Sequence, residues 1–169
     1  MRIYLLTLPT LNPFTKYIML IIKEISFDAI LTVWKNQLWP GRLSPIEPFS
    51  AMRFMGEYSS NFAKLPQVFL GGYQDNKLVA VNSLHLAEKY MARSRGLWVD
   101  SNFRGAGFGT KILIETGVYA KELGADAIWS FPRQSSITTY KSAGYIQISH
   151  WLDDGEFGPN CYAISPLTL

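Results

Sequence analysis

The stretch SNFRGAGFGTKILIETGVYAKELG, from Ser101 to Gly124, places Arg104 and Lys111 around Gly105, Gly107 and Gly109, with no acidic residue before Glu115. Its apolar spacing predicts a helix over about Gly107 to Leu123, closed by Gly124 as a C-terminal cap. A helix start exposes unpaired N–H groups and carries about half a positive charge. Cations placed there cost stability unless an anion sits among them. Glycines let the backbone turn tightly and approach a ligand without a Cβ in the way. Arg104, Gly105, Ala106, Gly107, Phe108, Gly109 and Thr110 therefore describe a phosphate or pyrophosphate cradle, with Arg104 as a forked donor.

Two other cradles fail on residue order. A Walker loop needs GxxxxGK followed by Ser or Thr, and here Thr110 precedes Lys111. A dinucleotide fingerprint, GxGxxG, needs a final glycine that the run Gly105-Ala106-Gly107-Phe108-Gly109 lacks at its place, and an acidic residue closing the next strand. The next strand, AIWSFP, ends in Pro132 and Arg133, and Asp126 lies at its wrong end. A plain turn with a solvated arginine is the remaining reading of the glycines alone.

The pattern R-x-x-G-x-G, formed by Arg104, Gly107 and Gly109 after a strand ending LWV, resembles the acyl-CoA pyrophosphate loop of the GNAT superfamily of N-acetyltransferases. LWVDSNFRGAGFGTKIL is similar to that family's strand-loop-helix core. SSITTYKSAGY is similar to its following helix, where a tyrosine stands four residues before a Gly-aromatic pair. The chain departs from the family at Ser101, where proline is usual, and at Arg133, where an asparagine often opens the second motif.

The resemblance implies acetyl-CoA as co-substrate, no metal, and direct attack by a primary amine in a ternary complex. It implies that backbone N–H groups of Leu97, Trp98 and Val99 hold the acetyl carbonyl, and that Arg133 belongs with the cofactor contacts. Tyr140 is the expected general acid, since a phenol with a pKa of about 10 is still protonated at neutral pH; its other reading is helix packing. Glu88 or His85 is the expected general base, set against a turn carboxylate and a sheet histidine, and Asp100 reads better as a loop-shaping residue. A non-catalytic acyl-CoA-binding module is the alternative function. The acceptor is a small molecule, peptide or protein bearing an amine. Asp153, Asp154 and Glu156 are candidates for attracting a cationic amine. Trp39, Phe49 and Phe54 line its pocket or belong to the core.

Behind these residues, LIIKEIS and then FDAILTVWKNQLW read as strand and helix, with Ile30, Val33, Trp34 and Leu38 at helical spacing. SAMRFMGEYSSNF reads as a second helix capped by Ser50. VFLGGYQ and KLVAVNSLHLA form a hairpin across Asp75 and Asn76, followed by MARSRGLWVD, the cradle helix, AIWSFP, a last helix and a terminal hairpin. The expected fold class is α/β, a mixed and mostly antiparallel sheet flanked by helices, in the order β-α-α-β-β-β-α-β-α-β-β.

The chain of 169 residues suits one domain over 19–169, behind an N-terminal extension over 1–18 that is outside the core fold. Met19 is a candidate natural start. Pro9, Asn12, Pro13 and Lys16 break the early apolar run against a signal peptide or membrane span. A single cysteine, Cys161, excludes an intrachain disulfide and points to the cytoplasm, and His85 and His150 make no ligand pair. A net charge of +3 without a basic stripe argues against nucleic acid, no membrane partner is expected, and exposed sheet edges suggest a homodimer.

Overall fold

Apolar alternation builds the sheet from the first residues of the chain. In the computed structural model, which describes residues 1–7, 17–56, 58–88, 90–153 and 156–167, Arg2–Thr7 (β1) pairs antiparallel with Tyr17–Glu24 (β2). The loose extension expected over 1–18 is thus an edge strand over Arg2–Thr7. Leu6 packs with Leu20 and Ile22, while Arg2 Nε and Tyr4 Oη both reach the Glu115 carboxylate, which is 1% exposed. Apolar burial and a buried charge that needs partners hold these residues to the sheet.

Phe27–Val33 (α1) starts at Ser26, whose Oγ accepts from the Ala29 N–H at 3.2 Å, and runs on through one π turn, Trp34–Leu38. The second expected helix does not form. Met52 bridges to Tyr58, Ser59 N donates to Ala51 O at 2.6 Å, and only a 3-10 turn, Ser60–Lys64, follows. Ser50 Oγ is taken by Arg93 instead of capping a helix, and Met55 sits at φ 50 in the left-handed region, which ends helical propagation.

Gln67–Gln74 (β3) and Lys77–Glu88 (β4) close around Asp75 and Asn76, both at positive φ as a two-residue hairpin turn requires. Met91–Val99 (β5), Phe108–Glu122 (α2), Ala127–Ser130 (β6), Ile137–Ser142 (α3), Ile146–Gln147 (β7) and Ala163–Pro166 (β8) complete the chain. Among the described residues the sheet has eight strands in the order β1-β2-β3-β4-β5-β6-β8-β7, and of these only β5 and β6 pair in parallel. This is the expected mixed, mostly antiparallel sheet flanked by helices. Among the described residues, no helix is long and apolar enough to cross a membrane.

Packing fixes α2 on one face and α1 on the other. Phe108, Ile112 and Leu113 of α2 are buried against the sheet, each contributing about 1.5–3 kcal/mol of apolar burial. Ile30 of α1 and Trp34 of the π turn that continues it pack on Val81 from the opposite side. The two layers meet β5 where its pairing with β6 ends, at Arg93 and Trp129. Beyond that point β5 bulges: Ser83 faces Arg95 but Val81 faces Trp98, an extra residue on β5.

Candidate active site

The parting of β5 from β6 opens a cleft of about 1390 Å³, bounded by the end of β5, the glycine loop, the start of α3 and the loop after α1. Gly96 makes the bulge possible. It has φ +75, its O accepts from Trp34 Nε1 at 2.8 Å, and a Cβ there would lie 2.4 Å from the Trp34 ring. Leu97, Trp98 and Val99 follow and line the cleft. Asp100 N donates back to Val79 O at 2.9 Å, so strand alternation turns the Val99 N–H toward the cleft.

Asp100 shapes the loop. Its carboxylate accepts from Asn102 N at 3.0 Å and from Lys77 Nζ at 2.7 Å, and that pairing holds its pKa below the usual carboxylate range. Gly105 and Gly107 have φ of 78° and 81°, and a Cβ on Gly109 would come within 2.8 Å of Thr139 Cγ2. Gly107 caps α2 without a side-chain bond, and the first turn holds no acid. The first backbone bond, Lys111 N to Gly107 O at 3.0 Å, leaves the Phe108, Gly109 and Thr110 amides without a helical acceptor. Arg104 Nε donates to Val99 O at 3.2 Å, which sets its exposed guanidinium at this mouth. Lys111 turns the other way, with Nζ 5.6 Å from the Tyr4 ring centroid. Glycines, free amides and Arg104 fit a pyrophosphate.

Tyr140 reaches the cleft from α3. Its ring is 3% exposed and stands edge-on to Tyr145 at 5.1 Å, and its hydroxyl lies 3.2 Å from Ser130 Oγ, which also donates to Ser94 O at 2.9 Å. Burial raises the Tyr140 pKa, so the phenol holds its proton at neutral pH.

The expected bases sit elsewhere. His85 is buried beneath the cleft and is not among its lining residues; Nε2 lies 2.8 Å from Ser83 Oγ and Nδ1 has no partner. Burial, then Arg95 and Arg93, push its pKa well down, and it is a neutral sheet histidine. Glu88 ends β4 opposite Met91, at the far end of the sheet from the Ala80–Val99 pair beside the cradle, and its side chain lies outside the described residues.

Arg133 lines the cleft, but its Nη2 donates to Leu38 O at 3.1 Å and its guanidinium lies 4.9 Å from the Phe157 ring. It ties the start of α3 to the end of α1. Trp39 and Phe49 line the cleft, whereas Phe54 packs on Trp129 and Tyr162 as core. Glu156 Oε1 accepts from Leu43 N at 3.2 Å, Asp153 is exposed away from the cleft, and Asp154 lies outside the described residues.

Residues 34–145 match the acetyltransferase (GNAT) family. The chain belongs to this family. The GNAT fold recurs in solved structures at low identity. An IAA acetyltransferase from Bacillus cereus superposes with TM-score 0.65 at 13% identity, covering 87% of this chain and 99% of that one. An aminoglycoside 6'-N-acetyltransferase complexed with coenzyme A gives 0.64 at 13% identity, covering 88% and 98%. The ribosomal-protein-S18-alanine N-acetyltransferase from Escherichia coli gives 0.61 at 14% identity, covering 89% and 96%. No curated protein matches the sequence.

In this GNAT chain the sequence reading passed over Arg93, Arg95 and Ser130, all of which line the cleft. Arg93 and Arg95 carry a signal, since two arginines alternating in a strand share one face. Ser130 carries none: a serine closing a short apolar strand reads as a turn.

Proposed function

We propose that this chain is an N-acetyltransferase that moves an acetyl group from acetyl-CoA to a primary amine by direct attack in a ternary complex. One observation carries the reading: the unpaired amides that open α2 and the protonated Tyr140 hydroxyl face a single cleft. Acetyl-CoA would supply the thioester that the amine attacks.

The chain's own residues account for the remaining needs. The Phe108, Gly109 and Thr110 amides with Arg104 bind the pyrophosphate, where helix dipole and guanidinium act together. The Val99 N–H on the open edge of β5 is a donor for the acetyl carbonyl, whose oxygen gains charge as the amine adds. Tyr140 gives its proton to the departing thiolate, and Ser130 orients the phenol. If the amine arrives neutral, the proton its nitrogen sheds after attack passes through water to the Tyr140 phenolate left by thiolate protonation, so neither His85 nor Glu88 is needed. Sulfhydryl release from acetyl-CoA in the presence of an amine panel tests the reading. Thiol appearing with an equal amount of acetylated amine supports it; tight acetyl-CoA binding with no thiol release over any amine would leave a binding module instead.

A further inference from the structure

The end of the cleft beside the loop after α1 is lined by Arg42, Arg93 and Arg95 against Glu47 and Glu156, so its described lining stays net positive. Arg93 and Arg95 lie two apart on β5 and face the loop after α1. Arg95 Nη1 donates to Glu47 O at 2.8 Å and Phe49 O at 3.1 Å, and Arg93 Nη1 donates to Ser50 Oγ at 2.6 Å. Both guanidiniums lie against aromatic rings, Arg95 5.0 Å from Trp34 and 5.4 Å from Trp39, and Arg93 5.0 Å from Trp129. Arg42 joins them, 5.1 Å from the Trp39 ring with its Nε on Ser44.

Carbonyls, a hydroxyl and ring faces satisfy donors but do not cancel charge. Among the described residues, the ion pairs are those of Arg2 and Lys77, so none involves these three arginines. Glu47, exposed on the cleft lining, offsets part of the Arg95 charge without a direct ion pair, and Glu156 accepts from the Leu43 amide. Arg93 Nε is buried with no partner at all. Burial, reinforced by the neighbouring arginines, pushes Arg95 down to about 9, and burial pushes Arg93 down to about 10. Arginine nevertheless stays charged at neutral pH, so the cost appears as a demand for an anion.

The pyrophosphate does not meet that demand, because the α2 start and Arg104 claim it at the other end of the cleft. The anion must enter with the acceptor. We infer that the acceptor is a small amine carrying an oxyanion a few bonds from its nitrogen, a carboxylate as in an amino acid or a phosphate as in an aminoalkyl phosphate, received by Arg93, Arg95 and Arg42. The short spacing follows from geometry: Arg93 and Tyr140 line the same cleft, and Ser130 Oγ links the Tyr140 hydroxyl to Ser94 O, the residue next to Arg93. A polycationic amine is disfavoured by the same three charges. The inference rests on the acetyltransferase reading above.

Calorimetry on the full chain, with and without saturating CoA, compares matched amines: L-phenylalanine with phenethylamine, phosphoethanolamine with ethanolamine, and spermidine as a polycation. The oxyanion member of at least one pair should bind about tenfold or more tightly than its neutral-tailed partner. The pair with the larger advantage identifies carboxylate or phosphate. Arg93→Gln should abolish the advantage while leaving CoA affinity unchanged, and Arg93→Lys should restore part of it. If Arg93→Gln does not fold, Arg42→Gln at the rim should shrink the advantage. Equal affinities within both pairs, tightest binding of spermidine, or no binding by either oxyanion amine overturns the inference. CoA binding without oxyanion selectivity would leave the acetyltransferase reading standing; absence of CoA binding would end that reading, whereas the amine comparison without CoA would still be decided.

Discussion

The Trp34 indole occupies the space that a side chain on Gly96 would fill, and its Nε1–H donates to Gly96 O at 2.8 Å. The end of α1 thereby holds the β5 bulge open and sets the direction in which Leu97, Trp98 and Val99 enter the cleft. Site geometry on one side of the sheet is therefore set from the other.

Gly96→Ala meets both a 2.4 Å contact with Trp34 and a φ of +75. The expected loss is about 2–4 kcal/mol in urea unfolding, accompanied by weaker acetyl-CoA binding. A variant as stable as the parent would mean that the bulge does not depend on this contact.

Arg104→Ala removes an exposed donor held only through Nε to Val99 O. Acetyl-CoA affinity should fall about tenfold, in line with the loss of a charge-assisted hydrogen bond. Thermal stability should stay within about 1 °C, since surface substitutions rarely exceed a few tenths of a kcal/mol. Unchanged affinity by calorimetry would remove Arg104 from the pyrophosphate site.

Tyr140→Phe keeps the ring packed on Tyr145 and deletes only the hydroxyl near Ser130. Turnover should drop about 10²-fold or more with acetyl-CoA affinity nearly unchanged. Full turnover in the variant would assign the thiolate proton to another donor.

His85 has its pKa lowered by burial and by Arg95 and Arg93, so the unfolded chain binds a proton on it before the folded one does. Stability contributed by keeping it neutral is whole above about pH 6.5 and declines as pH falls below it, with a slope of at most about 1.4 kcal/mol per pH unit. Urea midpoints at pH 7.5 and 5.5 should differ in the parent and converge in His85→Gln. Equal sensitivity in both proteins would point to another titrating group.

A chain beginning at Met19 lacks β1, and with it the Arg2 and Tyr4 partners of the buried Glu115. The expected destabilisation is about 3 kcal/mol, tempered because Arg2 is 43% exposed. Adding Glu115→Gln to the shortened chain should recover part of it. Equal denaturation midpoints for long and short chains would make β1 an accessory strand.

The residues of the proposed anion cradle were legible in the sequence because their meaning is local. Arg104, the three glycines and the acid-free first turn all act within one loop and one helix start, so spacing alone carried the reading. The α1 segment, the β3–β4 hairpin and α2 were legible for the same reason, through periodicity and turn residues. Tyr140 stood out through its place in a short motif, although only the structure brings Ser130 within 3.2 Å of it.

What tertiary structure decided is everything that depends on a distant partner. Arg2–Thr7 looked like a loose extension because the Glu115 that holds it lies more than a hundred residues away. Ser50 looked like a cap until Arg93, across the sheet, took its hydroxyl. His85 looked available as a base, yet the pairing of β3, β4 and β5 buries it. Local geometry is encoded within a few residues of chain. Charge balance and burial are sums over the whole fold, and only the packed sheet and its two helical layers determine them.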